Sequence, residues 1–163
     1  LRKNFKVVNY SATYGVGANK LSRTTGMNPS EAATLLEAFW SRNWAVTEVA
    51  NRCEVRVVAD QQWLRNPVSG FYHSLRADKD RFSTLNQSTG VYCFDRWVSC
   101  CRRSGLQMIG QFHDEVIALV KLGDEATTKA TMENSIKKVN EATNLNVPLG
   151  IDANFGKDYA EIH

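Results

Sequence analysis

Between Gln111 and Val120 the chain reads QFHDEVIALV. His113, Asp114 and Glu115 stand together between two apolar runs, LQMIGQF and VIALVKL, that read as paired strands. Carboxylates at the tip of such a hairpin are held rigidly at a sheet edge, where hard divalent cations bind through oxygen. Two metals bound there can activate an attacking oxygen and stabilise a leaving pyrophosphate. The alternative is a polar turn, in which Asp is common because its side chain bonds nearby backbone. Turn chemistry alone does not account for a His and a Glu flanking that Asp between apolar strands.

Two further stretches carry chemistry. Arg2, Lys6, Tyr10 and Tyr14 follow one another at i+4, a slowly drifting stripe on one helical face. Cations at one end can grip phosphates and rings at the other can stack on a base. A solvated basic edge beside core aromatics has the same spacing. In FSTLNQSTGVYCFDRW, the short hydrogen-bonding side chains of Asn86, Gln87, Ser88 and Thr89 precede Gly90 near a helix start. Such groups reach minor-groove acceptors, which lie at similar places in every base pair. A polar helix start with a close-packing glycine fits equally well.

These groups must be positioned by the rest of the chain. Its 163 residues suffice for one domain with a sizeable core, or for a large piece of a bigger one. Hydrophobic residues make up 43% and charged residues 23%, ordinary for a soluble globular protein. No apolar run approaches a membrane span and no signal-peptide pattern opens the chain, so no membrane partner is expected. Cys53, Cys93, Cys100 and Cys101 form no CxxC pair, which argues against structural zinc and for reduced thiols in a cytoplasmic setting. A net charge of +3 suits a polyanionic partner without requiring one.

The pattern predicts a helix over residues 1 to about 22. A second, with Asn28 as N-cap, Pro29 at its first position and Glu31 completing a capping box, runs to about residue 52. Its apolar side is Leu35, Leu36, Phe39, Val46 and Val49. EVRVVADQQWLRNPVSGFYHSLR is β-branched and aromatic with a turn at NPVSG, a short antiparallel excursion. Helix returns over 80–103, with Arg102 and Arg103 in its last turn and Gly105 just past it. Asp124 caps a helix to about residue 144, with Met132, Ile136 and Val139 facing inward. VPLGIDANF reads as one more strand. The fold class is α+β, long helices packed with a small antiparallel sheet that carries the hairpin.

Taken together, these stretches resemble family A DNA polymerases. LRKNFKVVNYSATYG looks like the fingers-helix motif R-x3-K-x6-7-YG, QFHDEV like the HDE hairpin of the palm, and NQSTG like the glutamine segment of phage-like members. The terminal GKDYAEIH, ending in His163, is reminiscent of phage-type chains that close on histidine beside the palm. Order and separation also agree, over essentially the whole chain. The resemblance implies part of a right-hand polymerase fold, with residues 1–55 in the fingers and 56–163 in the palm.

It also implies roles. Arg2 and Lys6 contact the triphosphate of the incoming nucleotide, and Lys6 is a candidate proton donor to pyrophosphate. Tyr10 stacks near the incoming sugar and base, where tyrosine favours acceptance of dideoxynucleotides. Tyr14 and Gly15 are the YG pair beside the template base. Gln87, with Asn86 next to it, checks the minor groove of the new pair. His113 touches the primer's terminal phosphate. Asp114 ligates catalytic magnesium, and Glu115 supports it.

Two departures from the family pattern stand out. Ser11 stands where many relatives have glycine. The second metal-binding aspartate belongs to a motif that precedes the fingers helix and is absent here, as are the thumb and exonuclease parts. Asp60, Asp78, Asp80 and Asp95 read as lying outside any comparable strand setting. The expectation is a C-terminal subunit that polymerises DNA from dNTPs on a primer-template only when a separate N-terminal chain joins it. Two alternatives are a non-catalytic DNA- or polymerase-binding remnant, and a small metal-dependent phosphodiesterase using Asp114, Glu115 and His113.

Overall fold

A computed structural model describes the backbone of residues 2–162 and the side chains of residues 6–162. The side chain of Arg2 and all of His163 lie outside the described residues. The chain divides into two compact units, Leu1–Thr89 and Gly90–His163.

In the first unit the expected opening helix is two. Helix α1 spans Arg2–Thr13 and α2 spans Ala18–Thr25. Gly15 breaks them apart with φ 71°, the left-handed region where a side chain would be strained. Its N–H bonds the Ala12 carbonyl at 2.8 Å and the Val16 N–H reaches back to Ser11 at 2.9 Å, a Schellman termination of α1. Helix α3, Pro29–Arg42, starts on the expected capping box, Asn28 accepting from the Ser30 N–H while Glu31 accepts from the Asn28 N–H. The chain then bends at Asn43, whose side chain donates to the Phe39 carbonyl, before α4, Trp44–Arg52. The expected apolar side therefore does not extend through α4. Leu36 is buried, Leu35 and Phe39 pack beside it, and Val49 is exposed.

One core joins α1, α2 and α3 through Val8, Ala12, Leu21, Ala32 and Leu36. The antiparallel excursion is a three-stranded sheet in the order β1 (Val55–Val58), β2 (Gln61–Arg65), β3 (Tyr72–Leu75). Leu64 and Leu75 are its buried anchors. A 3-10 turn at Asp78–Asp80 leads into helix α5, Arg81–Arg103.

The second unit holds the remainder of α5, the hairpin of β4 (Gln107–Phe112) with β5 (Glu115–Leu119), and helix α6 (Glu125–Thr143). The expected end of α5 is present. Gly105, at φ 90°, bonds Arg102 through its N–H, and the Leu106 N–H reaches Cys101, a second Schellman motif. Cys93, Trp97, Cys101, Ile136 and Val139 form the core, with Met108, Val116 and Met132 against it. The antiparallel pairing therefore forms two separate sheets rather than one. VPLGIDANF forms no strand; Asn140 of α6 bonds both the N–H and the carbonyl of Leu149 at 2.8 Å, which satisfies that backbone without a ladder. A last short helix, α7, spans Tyr159–Ile162. No described helix is long and apolar enough to cross a membrane.

Candidate functional site

Lys6 and Tyr10 of the i+4 stripe lie on the outer face of α1, because Val8 and Ala12 take the inner face. Lys6 and Tyr10 are exposed, and the Lys6 Nζ sits 5.8 Å from the centre of the Tyr10 ring. Tyr14 is the C-cap residue. Its phenol oxygen accepts a hydrogen bond of 2.5 Å from Gln87 Nε2, on the first turns of α5 and 73 positions away in the chain. Gly15 also lies close to the 3-10 turn. A Cβ built on it would stand 3.4 Å from the Lys79 carbonyl, so a side chain there meets backbone as well as an unfavourable φ. Two motifs that the sequence left far apart therefore meet in space.

The four polar residues before Gly90 do not share one role. Asn86 and Gln87 are exposed, whereas Ser88 and Thr89 turn inward to Asn66. Asn66, fully buried in the NPVSG turn between β2 and β3, was not among the residues singled out from the sequence. Its Nδ2 donates to Ser88 Oγ at 2.7 Å and Thr89 Oγ1 at 2.9 Å, and its Oδ1 accepts from the Val68 and Ser69 N–H groups. The signal was present in the Asn-Pro dipeptide, which favours a turn with the Asn side chain on its own backbone.

In the second unit, Phe112 pairs with Glu115, so His113 and Asp114 form a two-residue turn. His113 adopts φ 47°, left-handed backbone for a residue that carries a Cβ. Both turn side chains are exposed, and Glu115 is half-buried. A bulge at Ile109 separates the pairs Met108–Ala118 and Gly110–Ile117 and re-aims the strand toward the tip.

Asp114 and Glu115 are consecutive, and neighbouring residues entering a strand point to opposite faces. Asp114, however, lies in the turn ahead of β5, and it is the carboxylate that the hairpin tip leaves exposed, with Glu115 half-buried behind it. Among the described residues no three His, Cys, Asp or Glu side chains gather as a metal cluster. A magnesium ion takes octahedral oxygen coordination. Much of that shell is water and one or two carboxylates complete it, so the exposed Asp114 suits such an ion as one protein ligand.

One expectation about acidic residues is corrected. Asp60 does stand in a strand setting, for Val58 pairs with Gln61 and Ala59 and Asp60 turn between β1 and β2. Both have positive φ, 49° and 62°, the signature of a type I′ hairpin. No second acid or imidazole flanks Asp60, unlike Asp114. Asp78 pairs with Arg81, and Asp95 lies on α5.

Electrostatics single out the β1–β3 sheet. The Tyr72 hydroxyl donates to Glu54 at 3.0 Å and Arg56 reaches the same carboxylate at 2.7 Å, which together hold Glu54 below the usual carboxylate range. Desolvation, then that same bond, pushes the Tyr72 phenol upward. Burial raises the thiols of Cys53, Cys93 and Cys101, which keeps them protonated and unreactive.

No family model matches the chain. Among curated proteins, it is 23% identical over 188 residues to a protein of Lactococcus lactis subsp. cremoris strain MG1363 named DNA polymerase I, an alignment covering 98% of the chain and 20% of that relative. The protein of the same name from Lactococcus lactis subsp. lactis strain IL1403 gives the same identity and coverage. The likeness is to DNA polymerase I. It is a distant relationship at the level of the family, and the chain spans about a fifth of the length of the curated relatives it matches.

Proposed function

We propose that residues 1–163 are the C-terminal fingers-and-palm portion of a phage-type family A DNA polymerase, 1–55 in the fingers and 56–163 in the palm of a right-hand fold. The portion works in template-directed nucleotidyl transfer from dNTPs to a primer 3′ end, as part of DNA replication. The observation that carries the reading is the Tyr14–Gln87 hydrogen bond. A helix that ends in a YG pair and a helix that opens on a glutamine segment serve one task only if they are side by side. The end-to-end likeness to DNA polymerase I supports the same reading.

In this reading the exposed Lys6, beside Arg2 in sequence spacing, neutralises the triphosphate and protonates the departing pyrophosphate. Tyr10 offers its ring face to the incoming sugar and base. Tyr14 and Gly15 flank the template base, and Gln87 with Asn86 tests the minor groove of the pair just formed. The exposed imidazole of His113 meets the primer's last phosphate. Asp114 supplies one magnesium ligand and Glu115 braces the turn. Magnesium, when bound, neutralises charge that develops on the transferring phosphoryl group.

In this reading the exposed Asp114 shares its ion with a second aspartate on a separate N-terminal chain, which also brings the rest of the palm, the thumb and any exonuclease. Large apolar side chains left in solvent support such a partner. Ile109, Phe112 and Leu119 on the hairpin strands are exposed, and Leu122 just beyond is 96% accessible.

That no three metal-ligating side chains gather among the described residues favours a second reading, a remnant that binds DNA or a polymerase without catalysis. Asp114→Asn separates the two. A polymerase portion loses synthesis and keeps assembly with its partner, whereas a binding module keeps everything it had.

A further inference from the structure

We infer that Asn66 is the positioning residue of the Tyr14–Gln87 pair: it fixes the rotation of α5 about its own axis and so aims Gln87 at the duplex minor groove. The inference rests on the reading of Gln87 as a minor-groove probe and adds a residue outside the three polymerase-like stretches.

Leu85, Ser88 and Thr89 stand at i, i+3 and i+4, one face of α5, while Gln87 lies well away from that face. Asn66 meets all three. Its Nδ2 donates to Ser88 Oγ and Thr89 Oγ1 and reaches the Leu85 carbonyl at 3.5 Å. Both hydroxyls give their single proton to the Leu85 carbonyl, at 3.2 and 2.8 Å, so their oxygens face Asn66 as acceptors. Only an uncharged donor suits that position. A carboxylate of the same shape, Asn66→Asp, would bring buried charge against lone pairs.

The other end of Asn66 is held as firmly. Oδ1 accepts from two N–H groups of the turn, the Asn66 N–H bonds the Phe71 carbonyl at 2.8 Å, and the Gly70 N–H bonds the Asn66 carbonyl at 2.8 Å. The side chain is thus a strut between a closed sheet turn and one face of the helix. A helix pinned on one face cannot roll, and Gln87 on another face stays where Tyr14 receives one of its two amide protons. The second proton and the Oε1 atom remain to meet a base. A groove acceptor such as purine N3 takes a hydrogen bond from that proton.

The test uses the full 163-residue chain and two readouts. The first is the nuclear Overhauser contact between the Gln87 side-chain amide and the Tyr14 ring. The second is the affinity for a fluorescein-labelled primer-template whose terminal adenine is either intact or 3-deazaadenine, which lacks the N3 acceptor. Ser88→Ala with Thr89→Val cuts the strut at the helix end and keeps every bond of the turn; Asn66→Ser cuts it at the turn. We expect wild type to prefer the intact duplex by roughly 3- to 10-fold, the worth of one hydrogen bond. Both strut variants lose the contact and bring that preference to about one, as Gln87→Ala does. Adding Gln87→Ala to either strut variant changes nothing more.

A contact and a preference that both survive in the folded Ser88→Ala/Thr89→Val chain overturn the inference, and this variant decides the matter should Asn66→Ser fail to fold. A Gln87→Ala chain with undiminished preference overturns instead the groove reading beneath it, and the Overhauser contact alone then judges the strut.

Discussion

The glutamine–tyrosine pair and the HDE hairpin are both proposed to meet the same substrate, yet they are built differently. Tyr14, Gly15 and Gln87 are fixed from within the first unit by a Schellman turn, a 2.5 Å hydrogen bond and a buried asparagine strut. His113 and Asp114 stand exposed at a two-residue turn of a two-stranded sheet whose outward apolar side chains are in solvent. The proposed base-checking element is held by contacts within its own unit, whereas the proposed catalytic element offers one exposed carboxylate beside exposed apolar side chains. A group that must only present a hydrogen bond can be preorganised locally. A metal shell draws its oxygens from water and substrate as well as from carboxylates, so less of it can be preorganised by one turn.

Five changes break or sharpen that contrast. Asp114→Asn has the largest effect and falls on activity alone: synthesis by the assembled polymerase drops by roughly 100-fold or more in single-turnover extension, as for loss of one group stabilising a transition state. Thermal unfolding of the chain itself is unchanged, because the side chain is exposed. Asn66→Ala shows the reverse order of effects. It strands buried donors and acceptors at both ends of the strut and lowers unfolding free energy in urea by about 2 to 3 kcal/mol.

The two hairpins give a smaller and opposite-signed pair. Replacing Ala59–Asp60 with Asn-Gly relieves the positive φ of both residues and stabilises by about 1 kcal/mol with synthesis intact. His113→Gly relieves a similar backbone strain, yet synthesis falls because the imidazole is lost. Equal loss of synthesis in the two would erase the distinction between them.

The smallest effect comes from Glu54. Its folded pKa lies below that of the unfolded chain, so its pairing with Tyr72 and Arg56 stabilises fully above the ordinary glutamate range, near about 4.3, and is lost as pH falls through the lower folded value. In Glu54→Gln, the acid limb of the melting temperature flattens while neutral-pH synthesis stays the same.

Much of this was legible in the sequence. The capping box at Asn28–Glu31, the glycine end of α5 and the inward face of α6 follow from local rules and are present. The misreadings have local causes too. Gly15 was read only as half of the YG pair, but its positive φ ends α1 at Thr13, nine residues before the expected boundary near residue 22. Asn43 breaks a helix that periodicity would continue. VPLGIDANF has strand-like residues but no neighbour to pair with, since Asn140 satisfies it. Asn66 escaped notice because its task is visible only when residues 22 and 23 positions away fold against it.

The hairpin's proposed place in a catalytic centre shared with a second chain is tested most directly by template-directed primer extension in magnesium. The purified 163-residue chain is compared with the same chain mixed with a separate polypeptide that carries the N-terminal palm, the thumb and the missing aspartate motif. The chain alone should give no extension above background, and the mixture should give extension that Asp114→Asn abolishes. Extension by the lone chain, or by a mixture indifferent to Asp114→Asn, contradicts the account.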